Sequence, residues 1–91
     1  MTAEVIEQAI MPPGYRALGL LHRGNPADVY DAWSEERGSR CVVKTLRTDR
    51  PTDRRDLTQL LVEGRLLRRL GHPHLVRAYE VLSDPVPAVV L

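Results

Sequence analysis

One amphipathic stretch, from about Asp53 to Leu70, separates two parts of the 91-residue chain whose apolar residues follow the pattern of β-strands. Four residues of this stretch recur at steps of three and four and therefore share one face of a helix: Leu60, Glu63, Leu67 and Leu70. Thr52 or Asp53 can cap the first turn, and Gly71-His72-Pro73 ends the helix. The predicted order of elements is strands, one helix, and strands again.

Three strands are predicted before the helix and two after it. The first begins at Tyr15, and the others cover residues 28–33, 40–46, 75–82 and 87–91. Gly24-Asn25-Pro26 predicts a turn between the first two strands, which therefore form a hairpin. Residues 1–13 are interpreted as a leader, in which Ala3 to Met11 can form a short helix before a proline-rich turn. The folded domain is then expected to cover residues 14–91.

Composition excludes several classes of function. The net charge is +1, which provides no electrostatic basis for binding nucleic acid or an anionic membrane. The single cysteine, Cys41, excludes a disulfide framework within the chain and a multi-cysteine zinc site. We identify no metal ligands, no membrane span and no secretory signal, so a cytoplasmic protein is expected.

Lys44 is the only lysine among 13 basic residues, and it ends the run Arg40-Cys41-Val42-Val43-Lys44 of a valine-rich strand. Glu63 is a carboxylate on the apolar stripe of the helix that follows, where an unpaired charge would be costly. An ion pair between Lys44 and Glu63 would solve this problem. Two alternatives stay open at this point: a single lysine can arise by chance, and Glu63 can reach water from the edge of the stripe.

Several motifs agree in order and spacing with one family. Val29-Tyr30-Asp31-Ala32 follows the hairpin turn, Cys41-Val42-Val43-Lys44 forms the third strand, and His72-Pro73-His74-Leu75-Val76 follows the helix. With Glu63, these segments resemble the N-terminal lobe of protein kinases, particularly the bacterial serine/threonine kinases of eukaryotic type. The resemblance covers Tyr15 to Leu91.

The resemblance implies an α+β fold, a five-stranded antiparallel sheet with one helix between strands 3 and 4. It also implies that ATP is the cofactor, that Lys44 holds its α- and β-phosphates, and that Glu63 pairs with Lys44. Gly24 would bring backbone amides to the phosphates. Leu21 and Val29 would form a roof over the adenine ring, and Val42 would face the ring from the third strand. Leu91 would lie just before the hinge, at the back of the pocket.

The chain also departs from the family pattern. Gly24 alone remains of the three loop glycines, Pro26 removes a backbone N–H, and Val42 replaces the usual alanine. These departures favour an alternative function, a pseudokinase-like or stand-alone lobe that binds other proteins.

The chain contains neither the His-Arg-Asp nor the Asp-Phe-Gly motif of the family. We therefore expect a truncated kinase lobe that is not catalytically competent alone, with Mg²⁺ bound only when a C-terminal lobe is present. The expected partner is that missing lobe, another protein surface or a second copy of the chain. An α+β domain with only architectural similarity to kinases is a third hypothesis.

Overall fold

The structure is a computed structural model that describes residues 9–49, 51–69 and 79–91. The described residues form five strands and one helix: β1 (Tyr15–His22), β2 (Ala27–Ser34), β3 (Ser39–Leu46), α1 (Arg54–Arg69), β4 (Glu80–Leu82) and β5 (Ala88–Val90). The strands make one antiparallel sheet in the order β1-β2-β3-β5-β4. The predicted α+β class and the five-stranded antiparallel sheet are confirmed.

The first three strands form a continuous meander. β2 and β3 pair without interruption from Ala27 opposite Leu46 to Ser34 opposite Ser39. The turn between them is closed by the N–H of Gly38, which donates to the Ser34 carbonyl oxygen at 2.9 Å. Gly38 has a φ of 60°, a conformation that costs a residue with a Cβ more than it costs glycine. The local sequence therefore explains this tight connection.

Alternation along the strands creates two different faces of the sheet. One face carries a buried apolar cluster, against which Met11 and Tyr15 pack: Ala32, Cys41, Val43, Ala88 and Val90. The opposite face receives α1, because Leu60 packs on Val89 with Leu46, Val81 and Leu91 around them. Small and branched aliphatic side chains fill both clusters, as expected of a chain without phenylalanine.

The start of α1 is held by two reciprocal hydrogen bonds. The N–H of Asp56 donates to Asp53 Oδ1 at 2.9 Å, and the N–H of Asp53 donates to Asp56 Oδ2 at 3.1 Å. This arrangement is a capping box that satisfies backbone donors of the first turn. Asp53 is thus the cap, one of the two candidates that the sequence offers.

Parts of the sequence-based interpretation lie outside the described residues. These parts are most of the leader helix, Leu70, the side chain of Leu67, and the residues 71–78 that carry the His72–Val76 motif and the first half of the predicted fourth strand. Among the described residues, no helix combines the length and hydrophobicity that a bilayer crossing requires. The cytoplasmic location stays a prediction.

Candidate functional site

Lys44 and Glu63 form an ion pair between β3 and α1. The distance from Lys44 Nζ to Glu63 Oε1 is 2.7 Å. Register places Lys44 between Val29 of β2 and Val89 of β5, while Leu60, one turn before Glu63, anchors α1 on Val89. The predicted ion pair is therefore confirmed, and the helix packing explains why the carboxylate reaches the strand.

The pair is only partly shielded from water. The side chain of Lys44 is 28% exposed and that of Glu63 is 42% exposed. Solvent screens such pairs, so the ion pair contributes little to the free energy of unfolding. The contact holds the Lys44 ammonium beside the sheet.

Three of the four residues predicted to form the adenine pocket are neighbours on the face of the sheet that carries Lys44. Val29 lies directly opposite Lys44, and Val42 lies two residues before Lys44 on the same strand. Val42 and Leu91 exchange backbone hydrogen bonds of 3.2 Å and 2.7 Å. All three side chains are half-buried. The structure thus brings together a small apolar surface next to the ammonium.

Leu21 differs from these three residues. The pairing of β1 with β2 is irregular between Leu20 and His22, and Leu21 has no partner in the register. Its side chain is 60% exposed. The structure therefore leaves Leu21 as an exposed residue at the edge of the sheet.

Gly24 lies in a hairpin loop that is closed by its own hydrogen bonds. The N–H of Gly24 donates to Asp28 Oδ1 at 3.1 Å. A Cβ at Gly24 would collide with the carbonyl oxygen of Ala27. Glycine is needed here because the backbone folds tightly on itself, not because of a positive φ.

Arg47 supports the same loop from the end of β3. Its guanidinium donates to the Gly24 carbonyl oxygen at 3.2 Å, and its backbone N–H donates to the Pro26 carbonyl oxygen at 2.9 Å. Two further bonds, of 2.9 Å and 2.7 Å, join the guanidinium to Asp49, which also pairs with Arg23. The hydrogen bond from Arg47 holds the pKa of the Asp49 carboxyl well below its usual range.

Asp28 is a buried carboxylate beside the loop that the sequence analysis missed. The residue is 2% exposed, and its Oδ2 accepts a hydrogen bond of 3.5 Å from the Tyr30 hydroxyl and lies 3.9 Å from Arg23 Nη1. A signal was present, because alternation along β2 places this carboxylate on the apolar face with Tyr30 and Ala32. The same reasoning that identified Glu63 on the helix would have identified Asp28 on the strand.

A cavity of about 220 Å³ lies between the loop and Lys44. Its lining includes His22, Gly24, Ala27, Val29 and Lys44. A larger cavity of about 600 Å³ lies elsewhere, between the start of α1 and residues 85–87, and contains none of the predicted site residues. Among the described residues, no three side chains are grouped as metal ligands.

Comparison with known proteins identifies similar segments in protein kinases. Over 77 residues, or 85% of this chain, the sequence is 29% identical to NUAK family SNF1-like kinase 2 of Homo sapiens and of Rattus norvegicus. It is 26% identical to NUAK family SNF1-like kinase 1 of Homo sapiens over the same length. The chain spans 12% of the length of these relatives. No protein-family model matches the chain.

The sequence similarity to kinases and the observed fold support the same interpretation. A kinase-like sequence segment and a five-stranded antiparallel sheet with one helix in the described residues fit the N-terminal lobe of a protein kinase. These relatives are eukaryotic, so the narrower resemblance to bacterial kinases stays a prediction.

Proposed function

We propose that this chain is the nucleotide-binding lobe of a serine/threonine protein kinase. The observation that supports the proposal most directly is the ion pair of 2.7 Å between Lys44 and Glu63. Kinases use a strand lysine and a helix glutamate in this combination to hold ATP phosphates. The sequence similarity to kinases supports the same conclusion independently.

The lining of the cavity, together with Glu63, Val42 and Leu91 outside that lining, fits the chemistry of a nucleoside triphosphate. Lys44 would attract phosphate oxygens as a compact cation, and Glu63 would keep its ammonium in position. The apolar side chains of Val29, Val42 and Leu91 would contact the adenine ring. Gly24 lies in the lining of the cavity, where its backbone can pass close to a phosphate.

Phosphoryl transfer needs groups in addition to these. The transferred phosphoryl group comes from ATP, and a base must orient the acceptor hydroxyl while Mg²⁺ neutralises the developing charge. We assign these tasks to a second lobe, because the 91 residues contain neither the His-Arg-Asp nor the Asp-Phe-Gly motif. In this proposal the present chain binds and orients the nucleotide.

Thermal unfolding of the 91-residue chain with and without ATP tests the proposal. ATP at ten times its dissociation constant is expected to stabilise the fold by about 1.4 kcal/mol and to raise the midpoint by roughly 5 to 10 °C. Lys44→Met should weaken binding about tenfold, because it removes the phosphate-binding cation but keeps an unbranched side chain.

Arg40→Met is the matched control. Arg40 is also a cation on β3 and shares the sheet face of Lys44, but it pairs with Asp31 and is absent from the cavity lining. This variant should respond to ATP as the unmodified chain does. Equal loss of the ATP response in both variants, or no response in the unmodified chain, would contradict nucleotide binding at Lys44.

A second function, a pseudokinase-like lobe that binds other proteins, is favoured by the closed loop. The amide of Gly24 is already bonded to Asp28, and Pro26 has no N–H. Both features reduce the donors that remain for phosphate. If this function is correct, ATP and ADP leave the unfolding midpoint unchanged while a protein partner raises it. The opposite pattern supports the first proposal.

A further inference from the structure

The outward side of α1 carries an exposed apolar pair among arginines. We define the outer face of α1 as Arg55, Val62, Arg65, Leu66 and Arg69, which recur at steps of three, four and seven residues. Val62 is 56% exposed and Leu66 is 54% exposed. The two residues are one helical turn apart, so their side chains form a single apolar patch.

Every charge on the outer face is positive. The acidic residues of α1 are used elsewhere, since Asp56 takes part in the capping box and Glu63 pairs with Lys44. Within the described part of the chain, Arg55, Arg65 and Arg69 form no ion pair. Three other arginines do pair with carboxylates: Arg23, Arg40 and Arg47. The outer face thus groups three guanidinium groups that have no carboxylate partner in the described residues around one apolar pair.

We propose that the outer face of α1 binds an acidic amphipathic helix of a partner protein. Leucine-like side chains at i and i+4 of such a helix would pack on Val62 and Leu66. Asp or Glu residues on either side would accept bidentate hydrogen bonds from the flanking arginines. Charge complementarity therefore determines the chemistry of the partner, and the apolar pair determines its register.

A protein helix fits this surface better than an anionic membrane does. Membrane-surface helices bury a broad apolar face with several large side chains, whereas Val62 and Leu66 cover one turn only. Guanidinium groups also match the planar geometry of carboxylates, which a helix can hold in fixed positions.

Fluorescence anisotropy with a designed peptide tests the proposal. The probe is a labelled helical peptide of about 20 residues, with leucines at i and i+4 flanked by glutamates, and a scrambled peptide is its control. The intact chain should bind the designed peptide but not the scrambled one, and high salt should weaken the complex. Val62→Ser combined with Leu66→Ser should raise the dissociation constant about tenfold. Leu18→Ser, which alters an exposed leucine of β1, should not change it.

A charge exchange separates specific contact from general attraction. Arg65→Glu should weaken binding of the acidic peptide, and a peptide with lysine in place of the facing glutamates should restore it. Arg16→Glu makes the same net charge change on β1 and should have little effect. Circular dichroism should show that all variants fold, because every substituted side chain is exposed.

Three results would overturn the proposal. The first is peptide affinity that does not depend on Val62, Leu66 or Arg65. The second is binding to phosphatidylserine vesicles through this face without binding to the peptide. The third is self-association in sedimentation experiments that the Val62 and Leu66 substitutions abolish. None of these results depends on the ATP response of the chain, so the proposal can fail independently of the proposed function.

Discussion

Gly64 of α1 lies against Val89 of β5 without space for a side chain between them. A Cβ on Gly64 would lie 2.5 Å from Val89 Cγ2 and 3.1 Å from Val81 Cγ2. The glycine therefore allows the helix to approach the sheet closely. Glu63 precedes Gly64 in the chain, so this close approach also brings its carboxylate within reach of Lys44.

Gly64→Ala should lower the free energy of unfolding, because the added methyl group overpacks the contact with Val89 at a cost of about 1 to 3 kcal/mol. This loss should exceed the gain of roughly 1 kcal/mol that alanine provides in a helix. Chemical denaturation of the two proteins measures the difference.

Val89→Ala provides the control for this prediction. Alone it should destabilise the fold by leaving a cavity, but combined with Gly64→Ala it should cost less than the two single changes together. A Gly64→Ala variant that is as stable as the unmodified chain would show that the helix moves away without cost.

The contact between Lys44 and Glu63 should appear as a coupling free energy in a double-mutant cycle. Lys44→Met, Glu63→Gln and the double variant are compared by chemical denaturation. Because both side chains are partly exposed, we expect a coupling of less than about 1 kcal/mol that decreases at high salt. Strictly additive effects at low salt would argue against a stable pair in solution.

Gly24→Ala and Gly38→Ala should destabilise the fold for different physical reasons, and only the first should affect the hydrogen bonds of the hairpin loop. Gly24→Ala should cost about 1 to 3 kcal/mol, since the Cβ collides with the Ala27 carbonyl and the loop must open. Gly38→Ala meets no atom within 4 Å and should cost only about 1 kcal/mol for its positive φ. Chemical denaturation measures both costs, and amide hydrogen exchange should be faster around residues 22–28 in the first variant only. Exchange that stays unchanged there would contradict the closed loop.

Asp28 should stabilise the loop through its acceptor oxygens. Asp28→Ala leaves the Gly24 N–H and the Tyr30 hydroxyl without this acceptor, so we expect a loss of about 1 to 3 kcal/mol in the free energy of unfolding. Asp28→Asn keeps one acceptor oxygen and should lose less. Denaturation curves that rank the asparagine variant below the alanine variant would refute this role.

Tyr15 should make stability sensitive to alkaline pH. Burial, followed by the hydrogen bond of 2.9 Å to Glu80, raises the pKa of the Tyr15 hydroxyl well above its usual 10.0. The contribution of the neutral hydroxyl to stability is therefore complete below pH 10 and is lost as the pH rises, because the unfolded chain releases the proton first. Stability measured from about pH 9 to about pH 11 should fall less steeply in Tyr15→Phe. An equal slope in both proteins would contradict this assignment.

Much of the fold could be predicted because it follows from local pattern. Alternation of apolar residues indicated the strands, and steps of three and four indicated α1 and the position of Glu63 on its inner side. The pair with Lys44 was predictable because a carboxylate on an apolar stripe favours a cation as its neighbour, and the preceding strand carries one.

The sequence by itself determined the order of strands and helix, the start of the helix at Thr52 or Asp53 and the chemistry of the Lys44–Glu63 pair, because each depends on neighbouring residues or on a simple charge requirement. Tertiary structure alone decided that β5 lies between β3 and β4 and that Gly64 lies against Val89. These features depend on distances between segments that are far apart in the chain. The packing of those segments sets the distances, and no local repeat of apolar residues encodes them.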